Sequence, residues 1–229
     1  MNRDQAIIEF HVRHHGVPTD VIQDKFFSGL SQSATSQVLS RLKQKQQLAS
    51  QKINGNSKLW RLGRATVKRY GLRTARSKPL PATRIPIEIG ALDFCIEKQQ
   101  HRLTPRELVK LYPSYPKQLL FKHPYYVDDD GETKRLAQIR VELSANPISV
   151  MKKHKHSLFK CCDEYKAFRR LYDNDEMMFV LISPSEQLLV ALADQIAKAP
   201  WYPTRRLYPS KRLARYLRED EPNDKEWRP

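Results

Sequence analysis

The sequence predicts an α+β protein in two parts, a three-helix unit closed by a β-hairpin and then a small α/β domain. Three observations carry that reading. Apolar residues in the first 45 positions recur every three to four residues, then give way to two short alternating runs around Asn54-Gly55. Further on, "MMFVLISP" (177–184) is a continuous apolar run of strand length, the mark of a strand buried on both faces. Charge is also uneven: residues 1–80 hold fifteen Lys/Arg and four Asp/Glu, a net of +11 out of +16 for all 229 residues.

From Arg3 to His14, Ala6, Ile7, Phe10 and Val12 mark a buried helical face, and Gly16-Val17-Pro18 stops it. A second helix starts at Thr19-Asp20, buries Val21, Ile22, Phe26 and Phe27, and ends near Gly29. The third, "SQSATSQVLSRLKQKQQL", has Ser31 or Ser33 to accept from free N–H groups at its start. Ala34, Val38, Leu39 and Leu42 form its narrow apolar stripe. Helix–helix–helix–strand–strand is the winged helix-turn-helix order, expected over residues 1–71. A short helix, "RATVKRYG", closes it at Gly71.

Asn54-Gly55 suits a two-residue type I′ turn, because both residues tolerate positive φ and the turn's twist matches the strands. That loop pairs Ile53 with Asn56, Gln51 with Lys58 and Ala49 with Trp60. Ala49, Ile53, Trp60 and Leu62 then face the helices, leaving Ser50, Lys52, Ser57 and Arg61 outside. A three-residue loop would move these sets.

Residues 72–88, rich in proline and basic residues and without a helical stripe, read as a linker. An α/β domain is expected over 89–215. Ala91–Ile96 suggests a helix, and Thr104-Pro105-Arg106-Glu107 has the N-cap, proline and glutamate of another. "HPYYVDDDGETKRLAQIRVELS" reads as strand, acidic turn, strand, with Ile139, Val141 and Leu143 alternating against Gln138, Arg140 and Glu142. "KKHKHSLFKCCDEYKAFRRLY" reads as one long basic helix. After the apolar strand, Ser183 or Ser185 caps a helix that buries Leu188, Leu189, Ala191, Leu192 and Ile196. Residues 216–229 form a charged tail.

With 40% hydrophobic and 29% charged residues, the chain should fold rather than stay disordered. No run approaches eighteen apolar residues, and the start lacks an apolar leader core, so neither membrane contact nor secretion is expected. Three cysteines, Cys95, Cys161 and Cys162, fit a reducing cytoplasm and no disulfide framework.

A helix that reads DNA buries one stripe and turns long polar side chains to the base edges. With Ala34, Val38 and Leu42 inward, the outward candidates are Gln32, Thr35, Ser36, Gln37, Ser40, Arg41 and Gln44. Gln can pair with adenine and Arg with guanine, while Ser31, Thr35 and Lys43 suit phosphates. Lys52, Lys58, Arg61 and Arg64 are the phosphate-facing charges of the hairpin and its exit. Between Leu30 and Ala91 the one acidic residue is Glu88, whereas an ordinary solvated face mixes signs.

The enzymatic alternative rests on Asp128, Asp129, Asp130 and Glu142, which could hold Mg²⁺ as in nucleases that place Asp at one strand end and Glu-x-Lys on the next. Ser144 stands where that lysine would be. His154, His156, Cys161 and Cys162 are metal-ligand types, but histidines two apart diverge on a helix and adjacent cysteines rarely share one ion. No metal or cofactor is expected. Lys152, Lys153, Lys155, Lys160, Arg169 and Arg170 form either a second DNA-facing surface or a solvated helix face.

Several stretches resemble the replication-relaxation family of plasmid and mobile-element proteins: "SATSQVLSRLKQKQQLASQKINGNSKLWRLG", "YYVDDDG", "IRVELS", "EYKAFRRLY" and "MMFVLISPSEQLLVAL". The resemblance spans about residues 5–196. It implies a winged helix-turn-helix joined to a degenerate domain like that of restriction endonucleases. It also implies sequence-specific binding of double-stranded DNA in the replication, transfer or transcription of the element. The expectation is a non-enzymatic cytoplasmic, nucleoid-associated homodimer whose further partners are proteins of the same element. The alternative is a Mg²⁺-dependent nuclease or nickase accessory.

Overall fold

The computed structural model describes residues 2–53, 57–129 and 131–218. They form two compact units, one of residues up to Leu92 together with those from Arg215 on, the other of Asp93–Ala214. Both mix helix and sheet, and no helix among the described residues is long and apolar enough to cross a membrane.

In the first unit, α1 (Arg3–Arg13) starts at Asn2, whose side chain accepts from the Asp4 amide, and buries Ile7, Ile8 and His11. Strand β1 (Val17–Pro18) leads directly into α2 (Thr19–Phe26), and Gly29, at φ +78°, turns the chain toward α3 (Gln32–Gln44). Ser31 is the N-cap of α3, accepting from the Ala34 amide. Strands β2 (Leu48–Lys52) and β3 (Lys58–Leu62) follow, then α4 (Arg64–Arg69). The sheet order is β1-β3-β2, antiparallel throughout. Ile7, Val21, Ile22, Phe27, Leu39, Leu42, Leu48, Trp60 and Leu62 pack as one core. At Gly63 a Cβ would collide with the Gln46 carbonyl, so only glycine lets the chain leave β3 there.

The hairpin takes the longer loop. Lys52 pairs with Lys58, Gln51 with Leu59, Ser50 with Trp60 and Ala49 with Arg61, one residue out of the two-residue register. The Ile53 amide donates to the Ser57 carbonyl, so three residues, Asn54–Asn56, connect the strands. Their turn type, and the expected partner of Ile53, lie outside the described residues. The slip exchanges the faces of β2, bringing Leu48 and Ser50 rather than Ala49 alongside Trp60 and Leu62, while β3 keeps its expected faces. Leu48, Trp60 and Leu62 meet the helices, whereas Leu59 and Arg61 lie on the opposite face.

That opposite face is also covered, by the segment expected to be a linker. Residues 74–77 and 82–84 are short 3-10 turns, and α5 (Ile85–Glu97) begins inside the expected linker range. Gln51 donates to the Leu80 carbonyl (2.9 Å) and accepts from its amide (2.8 Å), replacing a backbone ladder with one side chain. Arg76 donates to the carbonyls of His11 (2.7 Å) and Val12 (2.9 Å). Leu80 is buried, and a Cβ on Gly16 would press into it and Leu59. Proline and positive charge here mark a strap clamped by side-chain bonds.

In the second unit, α6 (Pro105–Leu111) has the reciprocal capping box of Thr104 and Glu107. A four-stranded sheet of order β4-β5-β6-β7 comprises β4 (Tyr125–Asp129), β5 (Lys134–Val141), β6 (Met177–Ser183) and β7 (Thr204–Pro209). The first pair is antiparallel and the other two are parallel. Every residue of β6 is buried, as its uninterrupted apolar run demands. The long basic helix is two, α7 (Pro147–Glu164) and α8 (Lys166–Asp173), broken where Tyr165 turns extended. Ser185 caps α9 (Glu186–Ala197). The edge strand β7, its outer residues exposed, and α10 (Lys211–Arg218) were not expected from the sequence. One sheet face, with Leu136, Phe179 and Leu181, packs among residues of α7, α8 and α9; the other places Tyr126 and Tyr208 against Phe94 of α5.

Candidate nucleic-acid interface

On α3 the structure divides the expected outward residues. Gln32, Ser36, Gln37, Ser40, Lys43 and Gln44 are exposed, and Ser36, Gln37, Ser40 and Gln44 fall on one stripe at helical spacing. Ser31 is also exposed, but its hydroxyl serves as the cap. No acidic residue occupies the first turn of α3, which leaves the positive end of its dipole uncompensated.

Thr35 is a correction. It is fully buried, and its hydroxyl donates to the Gln23 side chain, whose amide in turn donates to the carbonyls of Phe27 (3.1 Å) and Leu30 (2.8 Å). Thr35 therefore sits inward with Leu39 and Leu42 and braces the α2–α3 turn, while Ala34 and Val38 flank that stripe half-buried. Arg41 is exposed, yet its guanidinium already grips both oxygens of Asp4, at 2.8 and 2.7 Å.

On the hairpin, Lys52 and Lys58 are exposed cross-strand partners near the loop, and Arg64 is exposed at the start of α4. Like charges directly opposite repel, so this pair is a local cost that a bound anion would remove. Arg61 is the second correction. It faces away from Trp60 and Leu62 as expected, but the strap covers that face, leaving it 8% exposed, with Nε and Nη1 buried and without a hydrogen-bond partner. Burial lowers its pKa from the usual arginine value.

Of the acidic residues expected at a metal site, the described Asp128, Asp129 and Glu142 do not converge. Asp128 pairs with Arg135 across the β4–β5 ladder, and Glu142 follows the other end of β5, seven residues on and so about 23 Å away. Asp128 is held by Arg206 (3.0 Å) and Asp129 by Lys134 (3.2 Å); Asp130 lies outside the described residues. Among the described residues no three His, Cys, Asp or Glu side chains are grouped to hold a metal ion. His154 points inward and His156 outward, as i and i+2 on a helix must, and burial raises both cysteine thiols of α7, Cys162 to about 11.

Glu142 instead ends a buried polar chain that alternation alone had not revealed. Its carboxylate accepts from His154 Nε2 (2.7 Å), and His154 Nδ1 lies 2.7 Å from the Tyr202 hydroxyl. Burial pushes the Glu142 pKa up, but the His154 hydrogen bond, with Lys153 and Arg140, brings it below the usual value. Burial lowers the pKa of His154 and outweighs the Glu142 hydrogen bond, which raises it, with Arg140 and Lys153 adding to the lowering. A carboxylate facing a neutral imidazole, with Nε2–H donated and Nδ1 accepting from Tyr202, satisfies every partner. Two residues along the same face, Arg140 is 6% exposed, stacks 3.9 Å over Phe179 and donates to Gln138 (2.8 Å). Gln138 donates to Tyr125, whose hydroxyl also meets Tyr115. The signal in the sequence was polar residues at i, i+2 and i+4 along a strand and just past its end, followed by a helix with its own inward histidine.

Compared with family models, with curated proteins and with solved structures, the chain matches none.

Proposed function

We propose that this chain binds double-stranded DNA and reads its sequence through a winged helix-turn-helix, with α3 in the major groove and the β2–β3 hairpin on the backbone. The observation that carries this reading is the acid-free polar stripe of α3, Ser36, Gln37, Ser40 and Gln44, followed by the opposed Lys52 and Lys58. Amide and hydroxyl side chains can exchange hydrogen bonds with base edges, and the two lysines can neutralise phosphates. Sequence reading of this kind suits a regulator of transcription, replication or transfer, and a homodimer would read two half-sites about one helical turn apart.

The test compares binding of the DNA upstream of its own coding region with binding of random DNA of equal length over a salt series. Preference for the upstream DNA, persisting as salt rises, is the expected result. Equal affinity for both at every salt concentration would remove the sequence-reading claim.

A further inference from the structure

The basic face of α7 carries more than charge. Lys152, Lys155 and Phe159 recur at i, i+3 and i+7 on one exposed stripe, with His156 beside them. Trp201, in the connection between α9 and β7, meets that stripe: its ring centroid is 6.1 Å from that of Phe159, and the Lys155 ammonium lies 5.8 Å from it. Two clamps fix the tryptophan. Tyr172 donates its hydroxyl to the Trp201 carbonyl (2.6 Å), and the Tyr202 ring packs 5.3 Å away, anchored through His154.

Charge near this strip is unbalanced for a reason visible in the ion pairs. Asp163 is taken by Arg169 (2.7 Å), Glu164 by Lys160 (3.6 Å), and the buried Glu142 by His154 and Lys153. Among the described residues, Lys152, Lys155 and His156 face no carboxylate. Phe159 is 38% exposed, on the side of α7 away from its buried Val150, Met151, Leu158 and Cys162.

We propose that this strip binds an unpaired nucleic-acid strand, with bases stacked on Phe159 and Trp201 and phosphates held by Lys152 and Lys155. Duplex DNA keeps its base faces stacked on one another and presents only base edges and phosphates, so an exposed and a half-exposed ring beside cations match a strand whose base faces are free. Pinned rings also lose little freedom when a base stacks on them. The inference shares with the duplex reading only the premise that the partner is nucleic acid, since it concerns other residues and another form of the ligand.

The experiment measures binding of a labelled single-stranded oligonucleotide and of the matching blunt duplex to the full chain. Phe159→Ala and Trp201→Ala should each weaken single-strand binding about 5- to 150-fold, the range for losing one stacked base. The exposed pair Lys152→Glu/Lys155→Glu should weaken it at least about tenfold. Lys52→Ala/Lys58→Ala should lower duplex affinity and leave single-strand affinity unchanged. Wild-type single-strand affinity in Phe159→Ala and in the double lysine variant would overturn the proposal. So would single-strand binding that falls only with the hairpin variant, or that polyglutamate matches without dependence on Phe159. Failure of duplex binding alone, with the α7 variants still defective on single strands, overturns the duplex reading and leaves this one standing.

Discussion

Arg41 of α3 donates from one nitrogen, Nη2, to both carboxylate oxygens of Asp4 of α1, so the side chain best suited to reading guanine is held by the protein's own carboxylate. The pair is solvent-exposed on the arginine side, and such pairs contribute about 0.2–1 kcal/mol. That is less than the roughly 1–3 kcal/mol a bidentate base contact supplies, so DNA can displace Asp4. Asp4→Ala should therefore raise affinity for the preferred DNA by up to about fivefold, while Arg41→Ala lowers it by roughly 1–3 kcal/mol. Titrations of both variants decide it; unchanged affinity in both would take Arg41 out of the interface.

The Lys52–Lys58 pair makes a separate prediction from its geometry. Each lysine that meets a phosphate contributes about 0.9 to the slope of log K against log salt. Lys52→Ala and Lys58→Ala should each reduce that slope by about one, without altering which sequence is preferred. Because the two ammonium groups oppose each other across the strands, neither change should lower the unfolding free energy. A constant slope would show that the hairpin tip stays off the backbone.

Arg61 should behave in the opposite way. Its Nε and Nη1 are buried without partners, and an unsatisfied buried donor costs about 1–3 kcal/mol. Arg61→Met keeps much of the volume and removes that cost, so it should leave stability equal or higher in urea unfolding. Affinity for DNA and its salt slope should not move. A fall in both would return Arg61 to the binding surface.

His11 makes stability depend on pH. It is wholly buried; Nδ1 donates to the Ile7 carbonyl (2.7 Å), while Nε2 has no partner. Burial lowers its pKa to about 4, with nearby Arg76 adding to the shift. The unfolded chain takes up a proton below about pH 6.5 and the folded chain does not until about pH 4. The contribution is therefore complete above pH 6.5 and is lost as pH falls across that window, by roughly 3 kcal/mol in total. His11→Leu should flatten this part of the stability–pH curve. An unchanged slope between pH 6.5 and 4 would show that another group sets it.

Features governed by neighbours in the chain were legible in the sequence. Ser31 and the Thr104–Glu107 box cap helices through bonds spanning three residues, and the run 177–183 is a fully buried inner strand. Features decided by distant contacts were not. Asn54-Gly55 is compatible with either loop length, and the register is tied to the bonds between Gln51 and Leu80, 29 residues apart. Thr35 looked outward because a hydroxyl suits water; Gln23, from another helix, supplies the partner that lets it be buried. Gln138, Arg140 and Glu142 have the alternation of a solvent face, and only the packing of α7 makes that face interior. The stripe of α3 was nearly right because surface position follows from helical period alone.

Glu142 is the residue on which structural and chemical roles can be separated. It lies at the far end of β5 from Asp128 and is bonded to His154 beneath α7, so its part is to balance the buried polar chain. Glu142→Ala would leave Arg140 buried without the nearest opposing charge and strip His154 of its acceptor. Breaking such an arrangement costs about 3–5 kcal/mol, so the variant should unfold at markedly lower urea concentration. Glu142→Gln keeps an oxygen for His154 and should lose less. A double-mutant cycle with His154→Ala should show coupling above about 0.5 kcal/mol. If Glu142→Ala keeps wild-type stability, and Mg²⁺-dependent strand cleavage present in the parent disappears with it, the carboxylate serves chemistry and its bond to His154 is incidental.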